Sequence, residues 1–363
     1  MGDEILHAIP TVFDLLALAT CLGTLGCRLW VLPALAAVPG AIGIEAVLVA
    51  LERLLVTCIA ALTVSSLAEL AGRTAEMSGQ PLSGILPLLP TVLFHTHYGW
   101  VWLMRPVALT VLWLAWWRGR STLRSRRIPA VMFGAGALIA MTRSASGHAA
   151  DWGDPSLPEL IDWVHLMASS LWGGGLFALS IAILPAAFRL PTRRRQCIAV
   201  IAQRFSSLAG VTLAGVLLTG FYNAWVQLGT IRALWEVSYG RTLLVKLFLV
   251  VPLIALGASN HYMSIPVLQR WSAPPGPRRA RPRILVVMQR RTGQGRERVV
   301  QLVRRFARKV RAEVIVVVGI LICTALLLHG APARHTVHRE HTLMPPETPV
   351  GAVGKLTGPA PFP

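Results

Sequence analysis

Long apolar runs separated by short polar or basic stretches dominate the chain. A membrane-crossing helix needs about 20 mainly apolar residues, at 1.5 Å each, to span about 30 Å of hydrocarbon. Eight stretches meet that length, at about 11–32, 43–68, 98–117, 128–147, 160–185, 205–228, 241–261 and 312–329. Backbone groups in lipid must be satisfied within the segment, and no short alternating apolar–polar strands suggest a barrel. The pattern therefore predicts an all-α polytopic membrane bundle of eight transmembrane helices. Pro81, Pro87 and Pro90 interrupt 81–97 too often for a clean helix, so that segment reads as a surface or re-entrant stretch.

Composition narrows the picture. The 363 residues are 54% apolar and 14% charged, whereas a soluble domain carries about 25% charged residues. That excludes an ordinary soluble protein, and the apolar content excludes disorder. The chain begins Met1-Gly2-Asp3-Glu4, acidic where a signal peptide is basic, so the first run reads as a retained span. The five cysteines contain no Cys-x-x-Cys pair and indicate neither a disulfide framework nor a zinc site.

The net charge of +19 would suit nucleic acid, but its distribution points elsewhere. Arg118, Arg120, Arg124, Arg126 and Arg127 follow the third run, and Arg189, Arg193, Arg194, Arg195 and Arg204 surround the end of the fifth. The stretch 270–311 holds fourteen Lys and Arg against the single acid Glu297. Alternate loops instead hold Asp151, Asp154 and Glu159, or Arg232 with Glu236. By the positive-inside rule the basic loops are cytoplasmic and both termini face outward. Aromatic interleaving is lacking in the basic stretch, which argues for lipid and against nucleic acid as partner. Val299, Val303, Phe306 and Val310 form an apolar stripe among its arginines, which predicts an interfacial helix drawn to anionic lipid. Three segments follow: membrane helices one to five over 1–197, helices six to eight over 198–330 with the basic cytoplasmic loop 270–311, and a flexible outer tail over 331–363.

Ionisable residues inside spans are costly and mark candidate function. On this topology His95 and His97 precede span three at its outer end, His148 ends span four there, and His165 enters span five from the same face. Met104 follows His97 by seven residues and Met141 precedes His148 by seven, so each thioether shares a helix face with its imidazole, deeper in the membrane. Imidazole and thioether together suit copper, while hard cations want carboxylates and carbonyls. Asp162, one turn before His165, is placed to orient that ring, and Trp172 lies two turns beyond it. His261 and Met263 form a possible inner exit, and His335, His338 and His341 a possible capture site in the tail. The bland alternatives are interfacial histidines held by hydrogen bonds, methionines as filler, and a solvated tail. Glu52 and Arg28 are placed to pair at the inner side.

The run His165-x6-Trp172-Gly173-Gly174, preceded by Ser146-Gly147-His148-Ala149, resembles the copper resistance D (CopD) family of bacterial membrane proteins. Arg204-Phe205-Ser206, Thr219-Gly220, Asn223-Ala224-Trp225, Tyr239-Gly240-Arg241, Lys246 and Val310-Arg311-Ala312-Glu313 fit that family's C-terminal half. The resemblance implies an eight-helix inner-membrane protein of copper homeostasis, often working with a periplasmic copper-binding protein. It implies copper transport or handling rather than enzymatic catalysis. The inside-negative potential favours cation entry by about 2.3 kcal/mol per charge per 100 mV, so uptake is energetically preferred, while an association with resistance accommodates export. Two alternatives stay open: a membrane cytochrome with haem clamped by His148 and His165, and a non-transporting scaffold for a periplasmic copper carrier.

Overall fold

A computed structural model describes residues 2–37, 44–120, 125–147, 155–188, 194–272 and 292–330. Among the described residues eight helices are long and apolar enough to cross a membrane: α1 (Ala8–Leu35), α2 (Ile44–Ser78), α3 (His97–Gly119), α4 (Arg127–Ala145), α5 (Leu157–Phe188), α6 (Cys197–Leu228), α7 (Ser238–Arg270) and α8 (Gln301–His329). Each covers one of the apolar runs, and no strand occurs among the described residues. The protein is an all-α, multi-pass membrane bundle. The proline-rich segment forms two short 3₁₀ turns, Leu82–Gly84 and Leu86–Leu88, leading into a helix over Leu89–His95.

Several helices outrun the hydropathy. α2 continues to Ser78 although the apolar run stops near Ala68, because Glu69, Arg73 and Glu76 extend the helix with polar side chains near its end. The expected interfacial helix differs more. The stripe belongs to one continuous helix, Thr292–His329, and Val303, Phe306 and Val310 are buried in the protein core rather than laid on lipid. An apolar stripe records that a face is covered, not whether lipid or protein covers it.

α1 and α5 form the centre: 83% and 72% of their apolar windows are buried, against 11% for α6 and α7. Their crossing is backbone against backbone. A Cβ added at Gly174 would sit 1.7 Å from the Ala19 carbonyl oxygen, and one at Gly23 would sit 2.0 Å from the Gly174 carbonyl carbon. Such proximity requires glycine. On one side of α1, Leu22, Leu55, Ile59, Leu112, Met132 and Ile139 pack α1 to α4 together. On the other, Leu176, Phe205, Phe306 and Val310 join α5, α6 and α8. α6 and α7 turn Leu218, Phe221, Phe248 and Val251 outward, as a lipid-facing rim would.

Among the described residues four π turns interrupt the helices, at Cys27–Val31, Ser170–Gly174, Leu179–Ile183 and Asn260–Ser264. Such turns often mark functional positions. Helix starts are fixed by side chains: Thr96 accepts from the Gly99 N–H, and Ser156 with Glu159 forms a capping box. Thr11 of α1 meets His329 of α8 at 3.0 Å, so the beginning of the first span and the end of the last share one end of the bundle.

Candidate functional site

At that shared end, four helices converge on buried charge. Asp14 of α1 is fully enclosed. Arg105 of α3 donates from Nη2 to Asp14 Oδ2 at 2.9 Å, from Nη1 to Glu69 Oε2 of α2 at 3.1 Å, and from Nε to Thr142 Oγ1 of α4 at 3.1 Å. Ser65 Oγ donates to Asp14 Oδ1 at 2.9 Å. Arg143 of α4 pairs with Glu69 and stands 3.9 Å from Asp14. Two carboxylates thus balance two guanidiniums, which is how ionised groups persist in a low-dielectric interior. Neither Asp14 nor Glu69 stood among the candidates drawn from the sequence. Asp14, alone in an apolar run, was the available signal.

The next residue on α4 opens a second cluster. Ser144 Oγ donates to Asp162 Oδ2 of α5 at 2.9 Å, and Asn223 Nδ2 of α6 donates to Asp162 Oδ1 at 3.0 Å. Lys246 of α7 interacts electrostatically with the same carboxylate. One turn further along α5, His165 Nδ1 lies 2.9 Å from Thr219 Oγ1 of α6. The Thr219 hydroxyl already donates its one proton to the Gly215 carbonyl at 2.6 Å. The ring also bonds the Val216 backbone, so Thr219 and Val216 together hold it against α6. Gly220 makes room for the ring, since a Cβ there would lie 3.0 Å from His165 Cε1. Thr219 supplies the orienting contact that the spacing assigned to Asp162, whose own partners are Ser144 and Asn223.

The other candidates are scattered about this end. His95 and His97 are exposed, and His97 Nε2 is 3.4 Å from the Ala145 carbonyl of α4, three positions before His148 in the chain. Met104 is exposed on α3, Met141 is half-buried on α4, and Trp172 is buried in the core at a π turn of α5. His148, His335, His338 and His341 lie outside the described residues. Among the described residues no three His, Cys, Asp or Glu come together as a metal-holding group.

At the opposite end, Arg28 and Glu52 pair at 2.7 Å, as their positions suggested. His261 Nδ1 is 2.7 Å from Ser206 Oγ of α6, inside the π turn Asn260–Ser264. Met263 is exposed beside it. Asn260 Nδ2 donates to Glu313 Oε1 of α8 at 2.7 Å, and Lys309 Nζ donates to Ser259 at 2.8 Å and Ser264 at 3.2 Å.

Comparison with known proteins adds an independent line. Residues 4–154 match the family described as "Copper resistance protein D-like, N-terminal domain", and residues 199–327 match "Copper resistance protein D". The chain is similar to the copper transport protein CutJ of Bacillus subtilis (strain 168), 28% identical over 220 residues. That match takes in 59% of this chain and 40% of CutJ, so it spans about two fifths of the relative's length. No solved structure matches.

Proposed function

We propose that this chain, which belongs to the copper resistance protein D family, moves copper ions across the bacterial cytoplasmic membrane or handles them at its outer face. The observation that carries the reading is His165. The Thr219 hydroxyl and the Val216 backbone of α6 hold its ring at the outer end of α5. Metal-ligating histidines characteristically give their second ring nitrogen to such a partner, which holds the ring in place and fixes the tautomer. The name of the relative CutJ is consistent with copper as cargo.

In this account His148, His165 and either His95 or His97 take the ion at the outer end, and Met104 or Met141 receives it deeper. His261 and Met263 release it at the inner end, where a π turn exposes them. The tail histidines His335, His338 and His341 raise the local ion concentration. The charge-balanced cluster around Asp14 is a structural clamp beside this path. Its two guanidiniums are balanced by the Asp14 and Glu69 carboxylates, so the cluster adds no net charge to the path. Direction follows the potential, inward.

The test is copper accumulation in membrane vesicles holding the wild type or the His148→Ala/His165→Ala double variant. A marked fall in flux with the protein still folded supports the site. Unchanged flux removes it.

A further inference from the structure

The end of the bundle opposite His95, His97 and His165 carries a feature that the proposed copper path does not use. A cavity of about 680 Å³ opens between the ends of α5 and α8, walled by Arg304, Arg305, Arg308 and Arg311 over Phe188 and Ala307. Among the described residues no acidic residue lines it. Among the described residues none of the four guanidiniums has a hydrogen-bond or ion-pair partner. Arg304, Arg308 and Arg311 fall at i, i+4 and i+7, one stripe of α8, on a different face from that on which Val303, Phe306 and Val310 enter the core.

A stripe of like charges on one helix face is destabilising by itself, and among the described residues no carboxylate pairs with it. A bound anion relieves it beyond what solvent and counterions do. Guanidinium forks match the paired oxygens of a phosphate, donating two parallel hydrogen bonds each. The apolar floor of Phe188 and Ala307, at the margin of two membrane spans, favours a phosphate that arrives with acyl chains attached. By the basic-loop rule this end faces the cytoplasmic leaflet, where anionic lipid is concentrated. We infer that this cavity is a binding site for the phosphate headgroup of an anionic phospholipid, with Arg304, Arg308 and Arg311 as its principal ligands. The apolar stripe that a surface helix would have given to lipid is used for internal packing, and the basic stripe alone meets the membrane.

The experiment is native mass spectrometry of the full chain in detergent, titrated with phosphatidylglycerol, with phosphatidylcholine and with inorganic phosphate. The wild type is expected to retain phosphatidylglycerol in preference to phosphatidylcholine. Each basic group near a membrane surface adds about fivefold in affinity, so the Arg304→Gln/Arg308→Gln/Arg311→Gln variant should bind phosphatidylglycerol roughly a hundredfold more weakly. A charge-matched control, Arg120→Gln/Arg126→Gln/Arg127→Gln, should bind as the wild type does. The corresponding triple Arg→Lys variant keeps the charge without the forks and should fall between. Equal losses in the glutamine variant and the control would overturn the site in favour of diffuse surface charge. Displacement of the lipid by equimolar inorganic phosphate would overturn a lipid source.

Discussion

Replacing Arg105 by Met removes the guanidinium on which α1, α2, α3 and α4 converge. Arg105 reaches Asp14, Ser66, Glu69 and Thr142 at 2.9 to 3.3 Å. Without it, fully enclosed Asp14 keeps Ser65 and an Arg143 that stands 3.9 Å away. Removing one partner of a buried ion pair costs about 3–5 kcal/mol, chiefly because the other charge is left without compensation. The Asp14→Leu/Arg105→Met double variant removes one charge of each sign and leaves Glu69 paired with Arg143, so most of that loss should be recovered. Equilibrium unfolding in detergent, followed by the fluorescence of the twelve tryptophans, supplies the four free energies of the cycle. A coupling of about 2 kcal/mol or more is expected, within the range seen for residues sharing a network. A single-variant cost below about 1 kcal/mol, or a double variant no more stable than Arg105→Met, would refute the clamp.

Gly174→Ala places a methyl group 1.7 Å from the Ala19 carbonyl and should prevent α1 and α5 from packing, whereas Gly210→Ala meets nothing within 4 Å and should be neutral; expression and size-exclusion profiles separate the two. Thr219→Val frees the His165 ring to turn, and is expected to weaken copper binding about tenfold or more, the usual scale for losing a partner that orients a ligand, with thermal stability little changed. A matching loss in stability would instead mark the contact as structural. Glu52→Gln leaves Arg28, a 5%-exposed side chain, without its carboxylate, and should lower the unfolding temperature more than the exposed-pair variant Glu76→Gln, since exposed pairs contribute only about 0–1 kcal/mol.

The apolar runs made the eight spans legible, because a lipid-spanning helix has a required length and no alternative backbone solution. The ends were less legible. Glu69, Arg73 and Glu76 lower hydropathy without ending α2, since a helix continues freely once its side chains reach the polar zone. Arg28 and Glu52 were readable as a pair because both lie near one end of adjacent spans. The partners of Arg105 were not readable: Asp14 is 91 positions away, and nothing local to either residue specifies which helices touch. Val303, Phe306 and Val310 displayed their periodicity but not what covers them. At the histidine end, the positions of His95, His97 and His165 followed from topology. The contact of His165 Nδ1 with Thr219 did not, because that hydroxyl belongs to the next helix and nothing near His165 in the chain specifies it.

Metal analysis of the purified protein, wild type beside His148→Ala/His165→Ala, tests the copper assignment most directly. The account predicts copper retained by the wild type and lost from the double variant, without a haem absorption band in either. Copper retained equally by both, or haem bound in its place, would contradict it.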